Sequence, residues 1–219
     1  RLDNLAELSK SQKVIPAVVE FVDIAGLVRG AAEGEGLGNK FLSHIKAVDA
    51  IAQVVRVFED ADITHVSEKP DPVSDIQVIE YELILKDLDT VQKRIANLER
   101  DVKARKKGAE EEMTLLVKIE QGMKDGHLAN QIEIDRKNDH SYQAVASLQL
   151  LTEKPILYVF NGSEDQVRQG WTPNSDILKQ LKTSKWVLIS AKIESELSEL
   201  SLEEKKEFFL ICDNAACPG

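Results

Sequence analysis

The sequence predicts an α/β protein whose mainly parallel sheet is interrupted once by an antiparallel helical hairpin of coiled-coil type. Two observations carry that reading. Four short runs, "VVEFV" (18–22), "IAQVVRVF" (51–58), "PILYVF" (155–160) and "WVLI" (186–189), are rich in Val and Ile and almost unbroken in apolar character. Strands half exposed to water alternate apolar with polar residues, whereas strands covered on both faces, as in parallel sheets, do not. Between the second and third runs the period changes. Tyr81, Ile84, Leu88, Val91, Ile95, Leu98 and Val102 follow one another in steps of three and four, a heptad seam.

The remaining elements fall into place around these. A weaker strand is expected near Val14 and Ile15. Ser74 and Gln77 have the spacing of a capping box just ahead of the seam. The basic run "KARKKG" ends the first helix of the hairpin at Gly108, and Met113, Leu116, Ile119 and Met123 mark a second helix returning to Gly126. Later, "PNSDILKQLKT" reads as a helix with Pro173 near its start, and "SLEEKKEFFLI" as one capped by Ser201 with acidic residues in its first turn. The expected division is 1–73 and 150–211 for the two parts of the core domain, 74–149 for the inserted hairpin, and 212–219 for a tail.

Composition excludes several classes of function. A net charge of −10 disfavours electrostatic binding of DNA or of an anionic membrane, although it permits a local basic patch. The two cysteines, Cys212 and Cys217, are too few for a disulfide-stapled secreted fold and too sparse for a zinc site. No apolar run approaches the ~18 residues of a membrane span. A reducing cytoplasm is the expected setting.

Chemistry is expected where the strands end, because ligands of open parallel sheets gather beyond their carboxyl ends. After "VVEFV" comes Asp23-Ile24-Ala25-Gly26, the pattern D-x-x-G. A carboxylate there can hold Mg²⁺ through water, and Gly26 lets backbone N–H groups approach a terminal phosphate. After "PILYVF" comes Asn161-Gly162-Ser163-Glu164, whose amide can fix a purine edge. After "WVLI" comes Ser190-Ala191-Lys192, a turn whose backbone N–H groups can close over a base. Any one of these arises readily by chance. All three in this order, each directly after an expected strand, are specific.

These residues resemble the third, fourth and fifth signature motifs of the translation-factor class of P-loop GTPases. More closely, the segments "EFVDIAGLVRGA", "GEGLGNKFL", "VFEDADITHV", "ELILKDLDTVQKR" and "LTEKPILYVFN" resemble the Obg-like ATPase family over about residues 1–209. The resemblance implies a P-loop NTPase core, hydrolysis of ATP in preference to GTP, Mg²⁺, and association with ribosomes. The residues offer a physical reason for the base preference. Guanine readers carry N-K-x-D, whose aspartate accepts from guanine N1–H and the exocyclic amine; here Gly162 replaces the lysine and Glu164 the aspartate. Moving the carboxylate by one methylene spoils that bidentate geometry. Leu27 stands where a water-orienting glutamine is common, so the resemblance gives that task to His65. His44, His127 and His140 carry no metal-ligand spacing.

The stretch "GEGLGNK" imitates a phosphate loop without being one: Asn39 separates Gly38 from Lys40, and Phe41 stands where a hydroxyl is required. The resemblance makes it the mobile loop beside the γ-phosphate, with Gly30, Gly34, Gly36 and Gly38 permitting rearrangement. No G-x-x-x-x-G-K-[ST] occurs in the 219 residues. The chain is therefore expected to be a family member without its first strand, P-loop and first switch, and without the C-terminal TGS domain. Alone, it is expected to bind ATP poorly and not to turn it over. A second reading makes it a non-catalytic interaction module. In that case the hairpin tip (Lys103, Arg105, Lys106, Lys107) would meet an acidic partner such as ribosomal RNA.

Overall fold

The structure is a computed structural model, in which residues 2–23, 45–59, 70–134, 139–201 and 203–205 are described. Helix α1 (Leu2–Ser9) is followed by residues 10–23, which form neither helix nor strand. The expected strand at 18–22 is therefore not observed. Val18 is 87% and Phe21 85% exposed, and the segment is not among the strands of the sheet. An apolar run becomes a strand only where a neighbour completes its ladder, and none of the described strands does so.

Helix α2 (Pro72–Lys103) and helix α3 (Ala109–Lys124) form the hairpin. At 32 residues α2 is about 48 Å long. Its start lies earlier than the Ser74–Gln77 spacing suggests. Asp71 is the cap, its side chain accepting from the Ser74 N–H at 3.1 Å, and Pro72 opens the helix where a missing N–H costs nothing. Gln77 instead donates to Gln180 Oε1 at 3.2 Å. The turn between the helices uses Arg105 (φ 54°) and Gly108 (φ 82°), the latter in the left-handed region that glycine enters without strain.

The heptad seam holds from Ile84 onward. Ile84, Val91 and Leu98 are buried against Ala109, Leu116, Ile119 and Met123, with Leu88, Ile95 and Val102 packed at the edges. Arg94 bridges the helices to Glu112 at 2.6 Å. The first seam position is a correction: Tyr81 is 57% exposed, while Ile76, Glu80, Leu83 and Asp87 are buried. The first part of the helix, to about Asp87, also packs on the sheet and on the turn at Leu151–Glu153, so its buried stripe rotates.

Helix α4 (Asp139–Ala146) closes the excursion, and the chain re-enters the core. Strands β1 (Ile51–Arg56), β2 (Ile156–Asn161) and β3 (Lys185–Ile189) lie in the order β1-β2-β3, parallel throughout. Helices α5 (Glu164–Arg168) and α6 (Ser175–Leu181) connect β2 to β3, and α7 (Ala191–Glu199) follows β3. Val55, Ile156, Tyr158 and Phe160 point into the core with Ile76, Ile177 and Leu181. Trp171 and Trp186 flank the Phe160 ring at 5.3 and 6.1 Å. The near-unbroken runs suggested cover on both faces, yet Val54, Leu157 and Val187 on the opposite face are exposed. Side chains alternate across a strand, and the described helices α2 and α6 cover only the inward set. Past β3, Ser201 Oγ accepts from the Glu204 N–H at 3.3 Å while Glu204 Oε2 accepts from the Ser201 N–H at 2.8 Å, the cap expected there.

Buried carboxylates on α2 bolt the hairpin to the sheet. Glu80 accepts from the Tyr158 hydroxyl of β2 at 2.6 Å and from Gln180 Nε2. Asp87 Oδ1 accepts from the Leu151 N–H at 2.9 Å, and its Oδ2 accepts from the Thr152 N–H and hydroxyl at 2.8 and 2.7 Å. Lys154 then donates to the carbonyls of Ile45, Lys46 and Val48, fastening the approach to β1 against the approach to β2.

Burial pushes the Glu80 carboxyl above its ordinary 4.5, against the opposing pull of Tyr158, Gln180 and Lys182. The folded state therefore holds this proton more tightly than the unfolded chain. Its contribution is present below the unfolded value and is lost as pH rises through the folded one. Glu80→Gln keeps an acceptor for Tyr158 and removes the titration. Urea unfolding of this variant is expected to show a shallower fall in stability from pH 4.5 upward than the parent; parallel curves would contradict the assignment.

Candidate functional site

The register brings three strand ends level. Arg56 pairs with Asn161 and Asn161 with Ile189, so β1, β2 and β3 all finish at one edge of the sheet. The ladder continues one step further on each side. The Val57 N–H donates to the Asn161 carbonyl at 3.0 Å, and the Gly162 N–H to the Ile189 carbonyl at 2.8 Å. The loops leaving the strands therefore start from fixed positions.

Asn161 and the Ser190–Ala191 turn, placed together by the sequence motifs, meet here. Asn161 Oδ1 accepts from the Ala191 N–H at 2.9 Å. Among the described residues this leaves Nδ2 without a partner, two donor hydrogens at the carboxyl edge of the sheet. Ser190 is 4% exposed and caps α7, its Oγ accepting from the Ile193 N–H at 3.5 Å. Lys192 is exposed in the first turn of α7. Gly162 is packed tightly: a Cβ built there would lie 3.2 Å from Leu188 Cδ1 and 3.3 Å from Gln166 Oε1.

Other assignments are not gathered in. Glu164 does not turn to Asn161; its Oε1 pairs with Arg168 Nη2 at 2.7 Å along α5, both side chains well exposed. Asp23 is exposed at the end of the unpaired 10–23 segment and is not part of the sheet. The described residues contain no cluster of three or more side chains able to hold a metal ion. Asp23, the residue expected to hold Mg²⁺ through water, is a single exposed carboxylate there. Gly26, Leu27, Gly36, Gly38 and His65 lie outside the described residues, as do Gly30, Gly34, His44, Cys212 and Cys217. His127 Nδ1 lies 3.3 Å from Lys182 Nζ, at the base of the hairpin.

Motif matching missed Gln166. Its carboxamide accepts from the Ser163 N–H at 2.8 Å and donates to the Val57 carbonyl at 2.8 Å, joining the exits of β1 and β2. The S-x-x-Q spacing of a capping box was the available signal.

Comparison with known proteins places the chain in a family. The family model described as "50S ribosome-binding GTPase" matches residues 6–119. The chain is 45% identical over 213 residues to the ribosome-binding ATPase YchF of Bacillus subtilis, covering 95% of this chain and 57% of that protein. It is 41% identical to the YchF of Haemophilus influenzae over 211 residues, with the same coverage of 95% and 57%. The solved structure of the Schizosaccharomyces pombe YchF GTPase superposes with a TM-score of 0.76 at 32% identity, covering 97% of this chain and 58% of that one. The chain thus spans just over half the length of the curated relatives it matches. On these matches the chain belongs to the 50S ribosome-binding GTPase family, on its Obg-like, YchF branch.

Proposed function

We propose that the protein is a cytoplasmic, ribosome-associated switch that binds and hydrolyses ATP in preference to GTP. The observation that carries this reading is the bond from the Ala191 N–H to Asn161 Oδ1 at 2.9 Å, which joins two strand-end motifs at one edge of the sheet. With Oδ1 so held, Nδ2 can donate to purine N7, an acceptor that adenine and guanine share. Discrimination then falls to the carboxylate that would bind guanine N1–H and its amine. Glu164 is paired with Arg168, so guanine gains nothing over adenine. Backbone groups of residues 162–163 and 191–192 would border the base. Asp23, Gly26, Leu27, Gly36, Gly38 and His65 keep the roles that the resemblance assigns them, around the γ-phosphate and the attacking water.

The test is calorimetric titration of the full-length gene product with ATP and GTP in magnesium buffer. Tighter binding of ATP is expected; equal binding would contradict the preference, and tighter binding of GTP would contradict the base assignment as well. Residues 1–219 by themselves contain no G-x-x-x-x-G-K-[ST] to supply lysine and backbone N–H groups to the phosphates. They are expected to show no magnesium-dependent ATP hydrolysis, and measurable turnover would overturn that expectation.

Exposure of the hairpin tip supports the second reading, an interaction module without catalysis. Lys103, Arg105 and Lys107 are exposed, and Lys106 is paired with Asp101 at 2.6 Å, at the end of helix α2 about 48 Å from its start. Such a tip can reach ribosomal RNA. Reversing these charges is expected to reduce co-sedimentation with ribosomes and flatten its salt dependence. Unchanged co-sedimentation would restrict the arm to a structural role.

A further inference from the structure

One side chain ties the exit of β2 to the exit of β1, and the base contacts above make no use of it. Gln166 lies three residues after the cap Ser163, in the first turn of α5. Its Oε1 accepts from the Ser163 N–H at 2.8 Å, and its own N–H donates to Ser163 Oγ at 3.2 Å. That reciprocal pair is a capping box, and it needs only the oxygen of the carboxamide. The nitrogen is left over, and it is also placed. Nε2 donates to the Val57 carbonyl at 2.8 Å. Val57 is the first residue beyond β1, and its N–H donates to the Asn161 carbonyl at 3.0 Å. The Asn161–Ser163 loop is therefore held from two sides. Val57 grips its beginning and Gln166 grips its end, with Gln166 anchored on Val57 itself.

We propose that Gln166 is the positioning residue of the nucleobase loop, locking Asn161 and the 162–163 backbone onto the end of β1 so that a purine meets one fixed orientation of the Asn161 amide. The proposal rests on the nucleotide reading given above. It also accounts for Gly162. A side chain there would press on Gln166 Oε1 at 3.3 Å and on Leu188 Cδ1 at 3.2 Å, both closer than ordinary contact. The lysine that guanine readers carry at this position and the Gln166 bridge compete for the same space. Gly162 and Gln166 thus act as a matched pair that keeps the loop in its adenine-type arrangement.

Gln166→Glu separates bridging from capping. A glutamate retains an acceptor for the Ser163 N–H, so the cap survives, but it turns an oxygen toward the Val57 carbonyl and breaks the bridge. Gln166→Ala removes both. In calorimetric titrations of the full-length gene product, Gln166→Glu is expected to bind ATP about fivefold more weakly than the parent, with its thermal midpoint almost unchanged. Gln166→Ala is expected to lose at least as much affinity and some stability as well. A residue that only capped α5 would leave the Glu variant at parental affinity, and that result overturns the proposal. Should Gln166→Glu fail to unfold cooperatively, the near-isosteric Gln166→Met replaces it, and parental ATP affinity in that variant overturns the proposal equally. A parent that takes up neither ATP nor GTP overturns the nucleotide reading, and this proposal with it. A parent that binds while its Gln166→Glu variant binds equally well overturns only the role given to Gln166.

Discussion

Replacing Asp87 with alanine is expected to lower the stability of the protein by about 3 kcal/mol. The residue is 2% exposed, and its carboxylate receives three donors: the Leu151 N–H, the Thr152 N–H and the Thr152 hydroxyl. Truncation would leave these donors buried without an acceptor, at about 1 kcal/mol or more each. The benefit lies in the acceptor geometry rather than in the charge. Burial raises the Asp87 carboxyl above its ordinary 3.8, a sign that the folded state disfavours the ionised form. Asp87→Asn is therefore no rescue, because its amide nitrogen would confront an N–H. Urea unfolding followed by circular dichroism would measure the loss. A variant within about 0.5 kcal/mol of the parent would mean that the turn at Leu151–Glu153 finds its order elsewhere. Because that turn leads straight into β2, amide exchange at Leu151 and Thr152 should accelerate first.

Asn161→Ala is expected to weaken ATP binding by the full-length gene product about 30-fold, roughly 2 kcal/mol. Two effects combine. The variant loses the donor proposed for purine N7, and it releases the Ala191 N–H that Oδ1 now holds at 2.9 Å. Asn161→Asp divides them. An aspartate keeps an acceptor for Ala191, so the turn into α7 stays in place, but it offers an oxygen where the base requires a donor. Equal loss of ATP affinity in both variants, with near-parental stability in the Asp variant, would assign the effect to the base contact. Loss in the Ala variant alone would assign it to the turn.

What could be read from the sequence followed from how local each signal was. The hairpin was legible because seven apolar positions in strict three-four spacing have one helical explanation, and six of them pack as expected. Tyr81 failed because the first part of α2 also packs on the sheet and on the turn at Leu151–Glu153, a tertiary fact that no heptad contains. Three strands were legible to within two residues at each end. The run at 18–22 has the same composition, yet it is unpaired, since strand formation depends on neighbours as much as on propensity. At the site, the meeting of Asn161 with Ser190–Ala191 was legible because parallel strands in register must end at one edge. Asp23 was placed by the same rule, and it stands exposed beyond a run that is not part of the sheet. Glu164 was read for what it could not do to guanine, and its engagement by Arg168 needed coordinates. Gln166 escaped because its decisive bond spans 109 positions of sequence, from residue 166 back to residue 57.

The central claim is that one purine nucleotide sits at the common edge formed by the ends of β2 and β3. The most direct measurement is amide nuclear magnetic resonance of the full-length gene product during titration with ATP. The largest shifts are expected at Gly162, Ser163, Ala191 and Lys192, together with the side-chain Nδ2 signals of Asn161. Saturable ATP binding that leaves those signals unmoved, with shifts confined to the hairpin or to α4, would contradict the account.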